Sequence, residues 1–413
     1  MKRRFAANLA LVAVFVVVLG CLLGTKGLAR LGVEFPEWMG VNATFSQLEI
    51  REYRERPSFS LSAVKDGSYQ EELEGWATDS VPLRDDILLA EASMERVGIS
   101  LASSLMGYDS YPAFYGASYA ICPDDGLVIP ISSWVSEKNI EGMNTFAQTL
   151  NGVVKQYPSA RFVLDQLGDE YSSSTNPTYK YRSHTYEKEV WEQNLESLLD
   201  PRVQVIWDDI DSLDEVKSLW LHTEHHWTLE RALMSYNKIG NLLGWEQVEY
   251  SDAQLVCESW VGANGRHARF TGITDQLWDL PTDFSQLKML HHDEEKLMGA
   301  KWSLAAGEEP ALWGGLFNGY DDWWADETET VFVNQNPPNN KTCLLIGHSY
   351  RKPISPYIAK NYARVISLDV VNDSKSMSFA EYMDEYQVDD VVIQFGLTCY
   401  GDLISGDTTF LQP

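Results

Sequence analysis

Three β-rich runs near the end of the chain constrain its fold more than any other feature. They cover residues 342–346, 365–370 and 388–395, and helical stretches separate them. Strands that alternate with helices are typical of a parallel sheet with crossover helices. Two earlier runs, 160–164 and 203–207, have the same apolar and β-branched character. The sequence therefore predicts an α/β domain with a mostly parallel sheet.

The segments between these runs differ in how regular they are. Apolar residues at helical spacing predict helices over 139–156, 187–199 and 229–243, and Gly244 is expected to end the last of these. Residues 246–340 are rich in Trp, Gly and Asp and show no clear period. We expect them to form an irregular, insert-like region of the same domain.

The N-terminal segment indicates where the domain is located. Lys2-Arg3-Arg4 precede an apolar run from Phe5 to Gly24. A helix of this length is about 30 Å long, which matches a bilayer core. The basic cluster should stay cytoplasmic. The sequence thus predicts a cytoplasmic stub and transmembrane signal anchor over 1–24, a stalk over 25–58 and an extracytoplasmic domain over 59–413, held at the cell membrane by a single pass.

Two alternatives to the anchor stay open. Gly27-Leu28-Ala29 is compatible with signal-peptide cleavage, although the apolar region of such peptides is usually only about 7–15 residues long. Cys21 follows Val18-Leu19-Gly20 and faintly resembles a lipoprotein site, but the apolar run continues past it.

Charge and cysteine usage exclude some functions. The net charge is −28, and phosphate binding needs a basic face, so a nucleic-acid partner is not expected. Cys122, Cys257, Cys343 and Cys399 are too widely spaced for a paired-cysteine zinc motif. In an exported domain they could pair, with Cys343–Cys399 favoured if their strands are neighbours, or they could remain buried thiols.

Two short segments contain residues suited to nucleophilic chemistry. Glu224-His225-His226-Trp227 lies just before a predicted helix, and Gly347-His348-Ser349-Tyr350 follows the 342–346 strand. Serine, histidine and a carboxylate are the parts of a nucleophilic triad. Open α/β sheets bind ligands at the carboxyl ends of their strands. Gly347 would permit a tight turn there, and the backbone N–H of Tyr350 is a candidate oxyanion donor.

The alternation of side chains in an extended segment distinguishes the two histidines. Residues two apart share a side, whereas adjacent residues project to opposite sides. Glu224 is therefore expected to orient His226 as the base for Ser349, and His225 to be structural. Taken alone, a serine after a strand is ordinary turn chemistry. A metal site that includes His222 is a further alternative, but these residues precede the predicted helix, so the helical i, i+4 arrangement of zinc sites is missing and no metal is predicted.

The content and order of these motifs resemble a known family. Glu224-His225-His226-Trp227-Thr228 is similar to an Asp-His-His-Trp signature, with Glu in place of Asp. Gly347-His348-Ser349-Tyr350 resembles the serine block of the same proteins, with His348 where relatives often carry Asp or Thr. Residues 54–57 and 79–84 are similar to their N-terminal features. The family comprises the SGNH-hydrolase-like proteins of bacterial polysaccharide O-acetylation, of the alginate O-acetyltransferase kind, and relatives named for that signature.

This resemblance implies an SGNH-hydrolase-like, three-layer α/β/α fold with Ser349 as nucleophile, His226 as base and Glu224 as the acidic member. It implies a cofactor-free, membrane-anchored O-acetyltransferase of the cell envelope that transfers acetyl groups to an exported or cell-surface polysaccharide through an acyl-serine. The expected acyl donor is a multi-pass membrane O-acyltransferase. Two alternatives stay open: an acetyl or carbohydrate esterase, and a catalytically degenerate glycan-binding or assembly subunit.

The region 246–340 supplies the remaining candidates. Gly272 is the candidate second oxyanion donor. Arg266 and Arg269 could contact an anionic sugar, or could balance local acidic residues. Trp323 and Trp324 could stack on sugar rings, or could pack the region onto the sheet.

Overall fold

The computed structural model describes most of the chain beyond residue 50. The described ranges are 51–108, 110–122, 125–131, 136–167, 188–208, 212–291, 294–296, 329–370, 377–405 and 408–412, with single residues and short stretches between 24 and 49. Nearly all of the predicted membrane anchor, and both Trp323 and Trp324, lie outside these residues. A search of the described helices finds none with the length and apolarity needed to cross a bilayer.

The chain divides into two compact units, Met1–Ile99 and Ser100–Pro413. The strands, in chain order, are β1 (Phe45–Ser46), β2 (Arg51–Glu52), β3 (Tyr111–Pro112), β4 (Tyr119–Ile121), β5 (Val128–Pro130), β6 (Arg161–Leu167), β7 (Val203–Asp208), β8 (Gln254–Trp260), β9 (Asp275–Asp279), β10 (Leu287–His291), β11 (Glu294–Lys296), β12 (Glu329–Asn334), β13 (Thr342–Gly347), β14 (Arg364–Asp369) and β15 (Asp390–Phe395). The α-helices are Leu61–Asp66, Ser68–Asp79, Arg84–Met106, Glu137–Gln156, Lys188–Leu198, Leu213–Leu219, Leu229–Leu243, Ala263–His267, Ser355–Ala359, Phe379–Tyr386 and Leu397–Leu403. Short 3-10 turns are Tyr250–Asp252, Ser349–Arg351 and Thr409–Leu411.

In the first unit, a buried carboxylate joins the two N-terminal segments that resemble the family. Asp79 is 3% exposed, and its carboxylate accepts two hydrogen bonds of 2.8 Å from the Arg51 guanidinium. It also accepts a hydrogen bond of 3.0 Å from the backbone N–H of Arg54. These interactions, led by the one with Arg51, lower the pKa of Asp79. The carboxylate therefore stays ionised and connects the strand segment to the end of its helix.

The main sheet of the second unit has eight strands in the order β11-β10-β12-β14-β13-β15-β6-β7. The neighbouring strands from β14 to β7 are parallel. Strands β12, β10 and β11 extend the sheet by antiparallel pairing. The predicted α/β class with a mostly parallel sheet is confirmed, and it is consistent with an SGNH-like fold.

The antiparallel part of the sheet comes from residues that sequence patterns describe as irregular. Five strands, β8 to β12, begin within 246–340, and three of them join the main sheet. Their pairing depends on side chains contributed by distant segments, for example Val331 opposite Ile366. Strand propensity is set largely by such packing partners, so the local pattern does not reveal these strands.

Helices cover both faces of the sheet, and β13 shows why its sequence is continuously apolar. Cys343 and Leu345 pack into the cluster that contains the Leu229–Leu243 helix. Leu344 and Ile346 pack into the opposite cluster, beneath the Glu137–Gln156 helix. A strand buried on both faces needs apolar residues at every position rather than at alternate ones.

The same division explains why the predicted Cys343–Cys399 bridge is wrong. Cys343 belongs to one hydrophobic cluster and Cys399 to the other, so the sheet lies between them. Among the described residues, all four cysteines beyond the apolar N-terminal run are buried thiols. The alternative of buried thiols, which the spacing left open, is the one found.

Candidate active site

Ser349 begins a short 3-10 turn two residues after β13 ends at Gly347. The glycine is needed for space: a Cβ atom there would lie 2.9 Å from the Gln394 carbonyl oxygen and 3.4 Å from Arg351. A tight turn follows Gly347, as expected, but Gly347 itself does not have a positive φ. Glycine lets the neighbouring strand approach the nucleophile segment.

Arg351 fixes the turn from beneath. Its side chain is fully buried, and its Nη1 donates a hydrogen bond of 3.1 Å to the His348 carbonyl oxygen. Its Nε donates one of 2.9 Å to the Ser367 hydroxyl on β14. A buried arginine with these partners fixes the backbone from which Ser349 projects.

The two histidines lie on a loop whose two ends are paired with each other. Trp220 and Trp227 form an antiparallel bridge, and the backbone N–H of Leu221 donates a hydrogen bond of 3.1 Å to the His226 carbonyl oxygen. The chain then enters the Leu229–Leu243 helix, where Thr228 is the N-cap. The loop therefore bends back at residues 222–226 instead of running extended.

The structure brings Ser349 and His226 together although 123 residues separate them. The Ser349 Oγ and His226 Nε2 atoms are 2.6 Å apart, which is hydrogen-bond distance. His226 is 4% exposed. The Tyr350 ring centre lies 5.1 Å from that of His226 and 5.2 Å from that of Trp227. The Tyr350 hydroxyl donates to the His225 carbonyl oxygen, so this aromatic side chain supports the histidine loop.

Glu224 is buried, at 3% exposure, beside both imidazoles. Its Oε2 accepts a hydrogen bond of 2.6 Å from the backbone N–H of Ala263, and its Oε1 accepts one of 2.9 Å from that of His225. Its Oε1 lies 3.4 Å from His226 Nδ1 and in close contact with His225 Nδ1. The expectation that His225 projects away from Glu224 is wrong, because the segment bends and the alternation of an extended strand does not hold.

The electrostatics of this cluster favour an ionised glutamate. Burial raises the pKa of Glu224, but His225, and then His226, outweigh burial and bring the pKa well below its ordinary value. Burial lowers the pKa of His348, the residue before Ser349, to about 3. At neutral pH the site therefore contains a carboxylate, while the imidazole of His348 is uncharged.

Sequence reasoning missed Asp275, a buried carboxylate that holds the histidine loop. Its oxygens accept hydrogen bonds from the backbone N–H groups of His222 (2.6 Å) and Thr223 (2.7 Å), and from the Thr223 hydroxyl (2.5 Å). The Thr223 hydroxyl in turn accepts a hydrogen bond of 2.8 Å from the Gly262 N–H. Asp275 thus connects β9, the histidine loop and the turn that holds Glu224. Only its position near the start of a short polar strand could have suggested it.

The two arginines predicted to bind substrate lie in different surroundings. Arg266 is 3% exposed, and its Nε donates a hydrogen bond of 3.3 Å to the Gly262 carbonyl oxygen. Burial lowers the pKa of Arg266, and the charge of Glu224 opposes this shift. The Arg269 guanidinium lies 4.2 Å from the Phe114 ring centre. A substrate role for either arginine stays a prediction.

Gly272 lies exposed between the Ala263–His267 helix and β9, with a φ of 91°. Arg269 and Phe270, just before it, also have positive φ values, of 54° and 46°. This loop follows the turn that supports Glu224. The roles of Gly272 and Tyr350 as oxyanion donors stay predictions.

A metal site has a geometric basis in this cluster. One ligand atom from each of Glu224, His225 and His226 can be chosen so that all three lie within 4.8 Å of one another. Imidazole and carboxylate ligands suit zinc. Both carboxylate oxygens of Glu224, however, already accept backbone hydrogen bonds, and His226 Nε2 already faces Ser349. The arrangement therefore suits proton transfer to and from Ser349.

A serine and a histidine lie at hydrogen-bond distance beside a buried carboxylate, at the carboxyl edge of a mostly parallel sheet. This is the arrangement that the motif resemblance leads us to expect. A scan against protein-family models gives no match. A search of curated proteins gives none either.

Solved structures share the fold. PatB1 of Bacillus cereus is 16% identical with a TM-score of 0.50, and the match covers 71% of this chain and 97% of PatB1. The PatB1 structure with a sulfonyl adduct is 16% identical with a TM-score of 0.51, covering 68% of this chain and 96% of that one. A DHHW family protein from Eubacterium siraeum is 13% identical with a TM-score of 0.52, covering 71% and 94%. The predicted resemblance to proteins named for the Asp-His-His-Trp signature is thus confirmed at the level of the fold.

Proposed function

We propose that this chain is an O-acetyltransferase that acts on an exported or cell-surface polysaccharide through an acyl-serine. The observation that carries the proposal is the 2.6 Å separation between Ser349 Oγ and His226 Nε2, with the ionised Glu224 buried beside the imidazole. The motif resemblance to the polysaccharide O-acetylation proteins supports the choice of acyl group and acceptor.

In the first half-reaction, Ser349 Oγ attacks the carbonyl carbon of an acetyl donor. His226 Nε2 takes the serine proton as the C–O bond forms, and Glu224 stabilises the resulting imidazolium. The tetrahedral oxyanion needs a hydrogen-bond donor, for which the Tyr350 backbone N–H is proposed. Collapse of this intermediate breaks the bond to the donor's leaving group, which leaves with the proton from His226. The product is acetyl-Ser349.

In the second half-reaction, a sugar hydroxyl gives its proton to His226 Nε2 and attacks the acetyl carbonyl. The new ester bond forms on the sugar, the bond to Ser349 breaks, and the serine recovers its proton from His226. Water in place of the sugar hydroxyl would give free acetate, which is the esterase alternative. The two activities therefore share one intermediate and differ only in the acceptor.

The proposal includes a location and a donor. The basic residues 2–4 and the apolar run 5–24 support a single-pass anchor with an extracytoplasmic domain. A multi-pass membrane O-acyltransferase would then supply the acetyl group from the cytoplasmic side. A test for the anchor is whether the protein partitions into membranes after alkaline carbonate washing, and whether deleting residues 1–24 abolishes this.

The acceptor can be tested with p-nitrophenyl acetate as donor and a panel of neutral oligosaccharides. We expect acetylated oligosaccharide to form at the expense of free acetate, and Ser349→Ala to remove both products. Free acetate unaffected by any oligosaccharide would favour the esterase. Neither product from the native protein, with oligosaccharide binding retained, would favour the degenerate glycan-binding subunit.

A covalent probe complements this test. A PatB1 structure carries a sulfonyl adduct, and sulfonyl electrophiles modify activated nucleophiles, so an arylsulfonyl fluoride is a suitable reagent. We expect labelling of Ser349 in the native protein and its loss in His226→Gln. Equal labelling in both proteins would argue against activation of Ser349 by His226.

A further inference from the structure

A cavity lies at the edge of the main sheet opposite Ser349. It has a volume of about 980 Å³ and is lined by Arg161 and Asp390, the first residues of β6 and β15, and by Lys341, which precedes β13. Because these strands are parallel, their amino ends share one edge, while Ser349 follows the carboxyl end of β13. The cavity is therefore separate from the candidate active site.

The floor of the cavity is a chain of polar groups that are already paired. The Arg161 guanidinium donates hydrogen bonds of 2.6 and 2.5 Å to the two carboxylate oxygens of Asp390. The Tyr362 hydroxyl donates one of 2.8 Å to the same carboxylate, and the Trp245 indole N–H donates one of 3.2 Å to the Tyr362 oxygen. A floor with this internal pairing is rigid and electrically balanced.

One buried hydroxyl at the cavity is weakly paired. Tyr357 is 2% exposed and lines the cavity; its hydroxyl makes no hydrogen bond of ordinary length among the described residues, and the Thr282 side chain lies near it. Burial raises the pKa of Tyr357, so the group remains a neutral donor at physiological pH. A buried hydroxyl that is poorly paired is costly unless a ligand or water supplies a hydrogen bond.

The walls consist of neutral polar groups and of charges of both signs. Asn336, Asn339, Asn361, Gln247 and Gln286 contribute amides. An amide has both donors and an acceptor, as a sugar hydroxyl does. The amides of Asn339, Asn361 and Gln247 already bond within the protein, so those of Asn336 and Gln286 are the ones that would meet a ligand. Lys341 and Lys360 line the same cavity as the acidic residues 246, 249 and 252. Such a lining matches a ligand with many hydroxyls and no net charge.

Apolar surface and size fit the same ligand. Pro281, Pro337, Pro338 and Trp245 contribute apolar surface to the cavity lining. A pyranose ring has an apolar face that packs on such surfaces. Ligand pockets are commonly about 300–1,000 Å³, so this cavity is large enough for more than a single sugar.

We propose that this cavity is a non-catalytic binding site for a neutral oligosaccharide, at the sheet edge opposite Ser349. The amides would pair with sugar hydroxyls, Tyr357 would donate to one of them, and the prolines would contact ring faces. The inference does not depend on acyl transfer, because none of these residues belongs to the candidate triad. A long glycan bound in this cavity would stay attached to the protein, while the part of the glycan outside the cavity remains free to contact other surfaces.

The test is calorimetric titration of full-length Ser349→Ala protein, which cannot form an acyl-serine. The probes are cellohexaose, xylohexaose, mannohexaose and hexa-N-acetylchitohexaose, with hexagalacturonate as the anionic control. We expect at least one neutral hexasaccharide to bind more tightly than hexagalacturonate. Tyr357→Phe should raise its Kd about 2–10-fold, the usual contribution of one hydrogen bond, without lowering the melting temperature.

A matched pair of exposed asparagines locates the binding. Asn336→Ala removes a cavity amide, whereas Asn194→Ala removes an exposed amide on the Lys188–Leu198 helix. We expect weaker binding only in Asn336→Ala. The proposal is overturned if no neutral hexasaccharide binds at millimolar concentration, if hexagalacturonate binds best, or if binding is insensitive to both Tyr357→Phe and Asn336→Ala. Failure of acyl transfer, measured separately in the native protein, would leave these results unchanged.

Discussion

The polar side chains at the two edges of the main sheet are arranged in different hydrogen-bond networks. At the amino edge, Arg161, Asp390, Tyr362 and Trp245 satisfy one another in a continuous series of hydrogen bonds. At the carboxyl edge, supporting carboxylates and backbone groups hold a serine and a histidine in contact. The first arrangement suits binding, because its floor is already neutralised. The second suits proton transfer, because its buried charge is coupled to an imidazole that faces a hydroxyl.

The difference also shows how each edge is built. The polar floor of the amino edge comes from residues at strand starts and at a helix end, so the sheet itself positions it. The carboxyl edge depends on a closed loop that reaches in from outside the strands, and that loop needs Asp275 and Glu224 to keep its shape. Activity should therefore respond strongly to changes in the loop supports, whereas the amino edge should tolerate single substitutions.

The largest expected effect comes from removing the nucleophile. Ser349→Ala should reduce kcat/KM for p-nitrophenyl acetate by a factor on the order of 10⁴–10⁶, because the acyl intermediate can no longer form. Ser197→Ala, an exposed serine on the Lys188–Leu198 helix, is the control and should retain native activity. A steady-state assay measures both. A native rate in Ser349→Ala would remove the basis for chemistry at this edge.

The two adjacent histidines provide the second test. His226→Gln should reduce kcat by a factor on the order of 10⁴, because Ser349 loses its base. His225→Gln should reduce it less than about tenfold, because His225 contacts Glu224 but not the serine. Comparing kcat for the two variants decides which imidazole acts. Equal losses would mean that the histidines work as one unit, and a larger loss in His225→Gln would reverse the assignment.

A smaller loss is expected when the loop support is weakened. Asp275→Asn replaces a carboxylate that accepts three hydrogen bonds, and we expect kcat to fall about 10–100-fold with KM nearly unchanged, because geometry at His226 loosens. The free energy of unfolding should fall by about 1–3 kcal/mol. Asp283→Asn, an exposed aspartate, is the control. Lost stability with full kcat at low temperature would show that Asp275 serves the fold alone.

The last prediction concerns Asp165, a buried aspartate near the carboxyl edge, and the pH dependence of stability; its effect on activity should be the smallest. Asp390 at the amino edge pairs with Arg161, whereas Asp165 accepts hydrogen bonds from the neutral groups of Ser235 and Gln394. Burial, followed by the nearby charge of Asp208, raises the pKa of Asp165 from 3.8 to about 7. The unfolded chain therefore releases this proton at lower pH than the native protein does.

The raised pKa of Asp165 makes the free energy of unfolding depend on pH. Between about pH 4 and 7 the native state binds more protons at Asp165 than the unfolded state, so this group makes stability fall as pH rises. Asp165→Asn removes that contribution. Relative to the native protein, the variant should gain on the order of 2–4 kcal/mol between pH 4 and pH 7.5. Urea unfolding at both pH values measures this. A constant difference between the two proteins would contradict the raised pKa.

Local sequence patterns predict the helices and strands that have a clear apolar periodicity and clear ends. The helix Leu229–Leu243 has the predicted bounds because Thr228 caps its start and Gly244 ends it with a φ of 80°. Strand β13 was recognisable because burial on both faces makes its sequence uniformly apolar. The convergence of 226 and 349 followed from the position of the serine after a strand and from the motif resemblance.

The missed features depend on contacts between distant segments. Asp275 supports the histidine loop only because residues 222 and 223 bring their N–H groups to it. The contact between Glu224 and His225 follows from the bend closed by Trp220 and Trp227, which no alternation rule describes. The amino-edge cavity gathers residues from segments more than 200 positions apart, so local patterns could not indicate it.

Peptide mass spectrometry after rapid acid quench tests the central claim most directly. Native protein mixed with p-nitrophenyl acetate, without an oligosaccharide acceptor, should carry one acetyl group on the peptide that contains Ser349. The adduct should disappear on adding acceptor, and should be missing from His226→Gln. Turnover with the Ser349 peptide unmodified, or acetylation at a different residue that persists in Ser349→Ala, would contradict the account.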